Sequence, residues 1–159
     1  MKSIAVLFAV MLTFSCCAAS CSKEDEATPA QNNGNHNNNP NPIGTKMKIT
    51  IGTAVFTATL YDNASGNAFK ALLPLNLNMT ELNSNEKYYD LPNSLPTNPA
   101  VGGAIKAGDL MLYGSNTLVL FYKNFNTSYS YSRLGLIDNP AGLEAALGNG
   151  NVLVKFEIN

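Results

Sequence analysis

The chain has 159 residues, room for one ordinary domain and a small appendage. Ten Lys+Arg stand against eleven Asp+Glu, and from Lys46 onward seven Lys and one Arg stand against eight acids. There is no basic stripe, and nucleic acid is not expected as a partner. All three cysteines, Cys16, Cys17 and Cys21, lie in the first 21 residues, and the single histidine, His36, sits in an asparagine run. The rest of the chain therefore excludes a disulfide-stapled domain, a cysteine zinc site and a histidine-activated nucleophile. No metal or other cofactor is expected.

Met1-Lys2-Ser3 is a short basic start, and Ile4 to Phe14 is an apolar run of signal-peptide length, too short to span a bilayer by itself. Ala18-Ala19-Ser20-Cys21 resembles a bacterial lipobox, which implies cleavage before Cys21 and acylation of its thiol. Thr13-Phe14-Ser15-Cys16 is a second candidate, with a less typical residue three before the cysteine, and ordinary secretion is the alternative to both. Stable attachment needs more than one acyl chain, and the resemblance implies several. Ser22-Lys23-Glu24-Asp25-Glu26 resembles the surface-export signals of some Gram-negative lipoproteins, and reads equally well as a solvated linker. The expectation is an outer-membrane lipoprotein, facing the periplasm or displayed at the cell surface, that meets the membrane only through its anchor.

Residues 1–20 are thus expected to be signal peptide, 21–45 a tether and 46–159 the folded domain. The centre of the tether, QNNGNHNNNPNP, has no apolar periodicity and cannot bury enough surface to offset its ordering entropy. About 24 such residues average roughly 25–30 Å end to end. His36 reads as a linker residue, since one ligand makes no metal site.

From Lys46 the pattern becomes regular. Met47, Ile49 and Ile51 alternate with polar residues, Gly52-Thr53 is a tight turn, and Phe56, Ala58 and Leu60 alternate again, predicting a hairpin. Asp62 or Asn63 can cap a helix whose apolar face is Ala64, Ala68 and Leu72, with Phe69 and Leu73 beside it, ended by Pro74. Leu75, Leu77 and Met79 return to period two, and Lys87 to Leu91 is a further short strand. Leu91 to Gly103, with three prolines and two glycines, is expected to be a loop. Asp109 to Tyr113 and Thr117 to Tyr122 are strands around the turn Gly114-Ser115-Asn116. A Ser/Tyr-alternating stretch, Thr127 to Ser132, then leads to Arg133, the only arginine. Asn139-Pro140 starts a second helix with Leu143, Ala146 and Leu147 inward and Gly148 at its end. Val152, Val154, Phe156 and Ile158 form the last strand. About eight short strands with two inserted helices predict a mainly β, closed or nearly closed barrel.

The run AGDLMLYGSNTLVLFY (Ala107 to Tyr122), then SYSYSRLGLID (Ser128 to Asp138), resembles the bacterial cyclophilin-like domain family, as does the order of hairpin, helix and Leu-Leu-Pro ending at Pro74. The resemblance covers Lys46 to Asn159. It implies an antiparallel β-barrel with two capping helices, distantly related to the cyclophilin prolyl isomerases. Those enzymes lower a barrier of roughly 20 kcal/mol with an arginine in a Phe-His-Arg-type strand after the first helix. Here Leu75 to Leu91 contains no Arg and no His, and its only base is Lys87, whose point charge does not reproduce a guanidinium fork.

Candidate binding residues are Arg133, Tyr113, Tyr122, Tyr129 and Tyr131. The arginine can hold a carboxylate or a carbonyl at a barrel mouth, and the tyrosines can form an aromatic, hydroxyl-bearing groove. The competing readings are an ion pair of Arg133 with Asp109 or Asp138, and tyrosines used as barrel wall. Asp109 reads as a turn or cap residue. The expected function is a lipid-anchored, non-enzymatic binding module for a peptide, glycan or small ligand. The alternatives are a divergent peptidyl-prolyl cis-trans isomerase and a structural envelope component.

Overall fold

The computed structural model describes residues 44–159. The expected signal peptide, the expected lipidation site Cys21 and nearly all of the expected tether lie outside the described residues. The strands are β1 (Lys46–Ile51), β2 (Ala54–Leu60), β3 (Leu75–Leu82), β4 (Glu86–Asp90), β5 (Ala100–Ile105), β6 (Asp109–Tyr113), β7 (Thr117–Phe121), β8 (Phe125–Ile137) and β9 (Val152–Ile158). Two helices, α1 (Ala64–Lys70) and α2 (Leu143–Leu147), interrupt them.

All pairings are antiparallel, and the order β2-β1-β9-β3-β4-β7-β6-β8 closes on itself through β2–β8. Eight strands therefore make the ring, and β5 hangs on β8 outside it. Alternation sends one side chain in two to the interior. Met47, Ile49, Phe156, Val154, Met79, Leu110, Leu112, Leu118, Leu120 and Leu134 meet there in one cluster, all fully buried. The first hairpin forms in the expected register, with Gly52 at φ +57° in its turn.

Asn63 is the cap of α1: its Oδ1 accepts from Gly66 N at 2.7 Å. The buried face of α1 is Ser65, Gly66 and Phe69, not the expected Ala64-Ala68-Leu72 row; Ala64 and Leu72 are exposed. The ring of Phe69 meets that of Phe156 edge-on at 5.9 Å, and Gly66 lies so close to the carbonyls of Tyr61 and Leu134 that a Cβ would fall 2.3 Å from the former. Close approach at Gly66 turns the helix by about one position. α2 begins at Leu143, and Pro140 lies in the preceding turn and accepts from Leu143 N. Leu143 and Leu147 are buried and Gly148, at φ +59°, closes the helix.

The expected loop from Leu91 to Gly103 needs correction, because Ala100–Ile105 is a strand. Its glycines serve the pairing: the register on β8 shifts between Val101 and Gly103, and Gly103 takes φ +59°, a bulge that glycine accommodates. The remaining proline-rich segment is anchored by buried Leu91 and Leu95 and by backbone bonds from their N–H groups to Asn116 and Ser115.

Candidate functional site

Because β8 is 13 residues long, only its second half belongs to the ring. Its pairing with β6 ends at Tyr131, opposite Tyr113, and the first half continues past the barrel with β5 as a two-stranded flap. A second, smaller apolar cluster forms on the outer barrel face where the flap meets it, from Ile105, Met111, Val119, Phe121 and Tyr131. Beside this cluster lies a cavity of about 560 Å³. Its walls come from β4, β6, β7, the β3–β4 turn and the flap, and the size suits a small ligand.

On the barrel side, Glu86, Tyr88 and Asp90 project from alternate positions of β4. On the flap side, Phe125, Tyr129 and Tyr131 project from β8. The Tyr113 ring joins the walls, meeting Tyr129 edge-on at 6.1 Å and Tyr131 tilted at 5.6 Å. Tyr113 and Tyr129 are 46% and 62% exposed, so the cavity opens at this aromatic rim. Asp90 accepts from Thr117 Oγ1 at 2.7 Å. Glu86, by contrast, is 8% exposed. Burial pushes its carboxyl above the usual value, and the Glu81 carboxylate adds to that. Burial also raises the Tyr131 phenol to about 12, helped by the Glu86 carboxylate.

The structure brings Tyr113, Tyr129 and Tyr131 to this cavity but places Tyr122 and Arg133 elsewhere. Tyr122 follows Phe121 by one residue and so faces the opposite way, into the barrel. There its hydroxyl donates to Glu81 Oε1 at 2.8 Å. Arg133 lies further along β8 with Nη1 3.8 Å from Asp109 Oδ1. Asp109 also accepts from Lys106 N at 2.8 Å, a turn contact; burial nevertheless holds its carboxyl above the usual value. Asp138 pairs with Lys46 instead.

Lys87, the only base between Leu75 and Leu91, lies on β4 and is fully buried inside the barrel. It donates to Glu81 Oε2, to Gly148 O at 2.8 Å and to Gly150 O at 2.7 Å. Among the described residues no Lys, Arg or His lines the cavity. Among the described residues no three His, Cys, Asp or Glu side chains gather as metal ligands. Glu86 and Tyr88 are site residues outside the set expected from sequence; the period-two spacing Glu86, Tyr88, Asp90 is the signal that places them on one face.

A closed eight-stranded antiparallel barrel with two short helices and an outer-face cavity under a β-flap defines a small cyclophilin-like barrel domain. The family's sequence model, described as cyclophilin-like, matches residues 49–157. The chain belongs to the cyclophilin-like family. No curated protein and no solved structure gives a significant match.

Proposed function

We propose that the domain is a non-enzymatic binding module that holds a peptide, glycan or small ligand in the outer-face cavity, and that it does so at the cell envelope on a lipid anchor at Cys21. The observation that carries the reading is the cavity itself: about 560 Å³ walled by five aromatic rings, Tyr88, Tyr113, Phe125, Tyr129 and Tyr131. Aromatic residues with wet hydroxyl ends give contact area at low entropy cost and orient polar groups of a ligand. Tyr129 is largely exposed although a barrel-wall role would bury it. The arginine fork of the prolyl isomerases resembled above has no counterpart here, since among the described residues the charged groups lining this cavity are carboxylates.

A thermal-shift screen of peptides, oligosaccharides and small molecules against the intact protein tests the proposal. A ligand at 100 times its Kd adds about 2.7 kcal/mol to stability, and the resulting shift is expected to disappear in Tyr113→Ala and Tyr129→Ala. A screen in which nothing moves the melting temperature counts against binding. A proline-peptide isomerisation rate above background that is lost in Tyr113→Ala would replace the non-enzymatic reading with the catalytic one.

A further inference from the structure

We infer that the ligand of this cavity is an organic cation, an ammonium or guanidinium group whose charge meets the Glu86 carboxylate while the rings of Tyr113, Tyr129 and Tyr131 flank it. The inference rests on the cavity being a binding site. Its starting point is an imbalance. Among the described residues, two carboxylates and no basic side chain line the cavity. Asp90 is already engaged by Thr117. Glu86 is more than nine-tenths buried, and among the described residues no hydrogen-bond donor and no cation meets its carboxylate.

Three bases of neighbouring segments are committed elsewhere, and Lys106, which follows β5, lies near Asp109. Lys87 turns into the barrel to Glu81, Lys123 lies 3.2 Å from Glu144, and Arg133 lies 3.8 Å from Asp109. A site with carboxylates and, among the described residues, no positive charge fits a ligand that brings the charge, because a largely buried carboxylate is costly until it is paired. The aromatic walls point the same way. Cations are attracted to the faces of aromatic rings within about 6 Å of the ring centre, and Tyr113 and Tyr129 stand at 88° to each other, presenting surfaces in two planes. A neutral sugar would gain from the rings but would leave the Glu86 charge uncompensated.

Two sources share this chemistry, a free amine and the lysine or arginine side chain of a peptide. Calorimetric titration of the intact protein with cadaverine, Nα-acetyl-lysine amide, Nα-acetyl-arginine amide, the neutral isostere Nα-acetyl-norleucine amide and glucose separates them. At least one cation is expected to bind about tenfold or more tightly than norleucine amide. Its affinity should fall about tenfold or more in Glu86→Gln, a near-isosteric change that removes the charge, and also in Tyr129→Ala, at an exposed position. Melting curves establish that both variants are folded. Preference for the amino-acid amides over cadaverine assigns a peptide source, and the reverse assigns a free amine. Equal binding of the neutral isostere overturns the cation, and cation binding that survives Glu86→Gln overturns its pairing with that carboxylate, while both leave the cavity as a binding site. Binding by none of the probes overturns both.

Discussion

Lys87 has no solvent exposure, and each of its three ammonium protons has an acceptor: Glu81, Gly148 O and Gly150 O. Burial works against the Glu81 charge, but the bonds from Lys87 and Tyr122 outweigh it and hold the carboxyl below its usual value. Breaking such a pair from one side strands a buried charge and costs about 3–5 kcal/mol, whereas replacing both partners with apolar groups is close to neutral. Glu81→Leu alone should therefore lose about 3–5 kcal/mol in denaturant unfolding, and Glu81→Leu with Lys87→Met should recover most of it. Additive losses would show that the pair is not coupled. Glu86 has the opposite sign. Its folded value is raised, so its favourable contribution is complete below the unfolded value of 4.5 and is lost as pH rises through the higher folded value. Glu86→Gln should match wild type near pH 4 in thermal melts and exceed it at pH 8. Solvent in the open cavity screens the charge, so the gain is on the order of 1 kcal/mol. A constant difference across that range would mean that the carboxylate is not the cause. The same change should weaken cation binding about tenfold or more, a trade of stability for function.

At the level of elements, legibility followed locality. The first hairpin, the strands around Gly114-Ser115-Asn116 and the last strand were readable because burial there alternates with the sequence itself. β5 was not, because its pattern makes sense only beside a partner about 25 residues later in the chain. A Cβ at Gly102 would fall 2.8 Å from Thr127 Cγ2 and 3.2 Å from Tyr131 Cδ2. The glycine that reads locally as a loop is therefore a condition of close strand pairing. The buried face of α1 is not legible locally for a related reason, since Gly66 packs against backbone from Tyr61 and Leu134. In the candidate site, three of the four tyrosines named from sequence meet at the cavity. Tyr122 does not, because strand parity rather than residue type decides the direction of a side chain. Glu86 escaped notice because its importance lies in missing partners, which a sequence does not display.

For the whole molecule, the decisive contact is the closure of the ring. β2 and β8 share only three residue pairs, Ala58–Ile137, Thr59–Leu136 and Leu60–Gly135. A side-chain trio spans the outside of this seam, with Lys46 Nζ 2.7 Å from Asp138 Oδ2 and Thr59 Oγ1 donating to Asp138 Oδ1 at 2.7 Å. Its lysine is largely exposed, and exposed pairs of this kind contribute about 0–1 kcal/mol. The backbone approach at Gly135 is the stronger constraint. A Cβ there would sit 2.7 Å from Thr59 O and 3.2 Å from Leu60 Cα, and neither backbone atom can rotate away as a side chain does. Gly135→Val should therefore push β2 from β8 and cost about 1–3 kcal/mol, the usual range for overpacking. Asp138→Asn, in the same seam, should cost less than about 1 kcal/mol. Hydrogen exchange locates the effect. The Tyr61 amide, bonded to Leu134 O at 2.9 Å across the seam, should lose protection in Gly135→Val, while the interior amides of β6 and β7 keep theirs. Because the flap is the other half of β8, the displaced strand should also carry Tyr129 and Tyr131 away from Tyr113 and weaken ligand binding. Unchanged protection at Tyr61 with a normal melting temperature would mean that the ring does not depend on this seam.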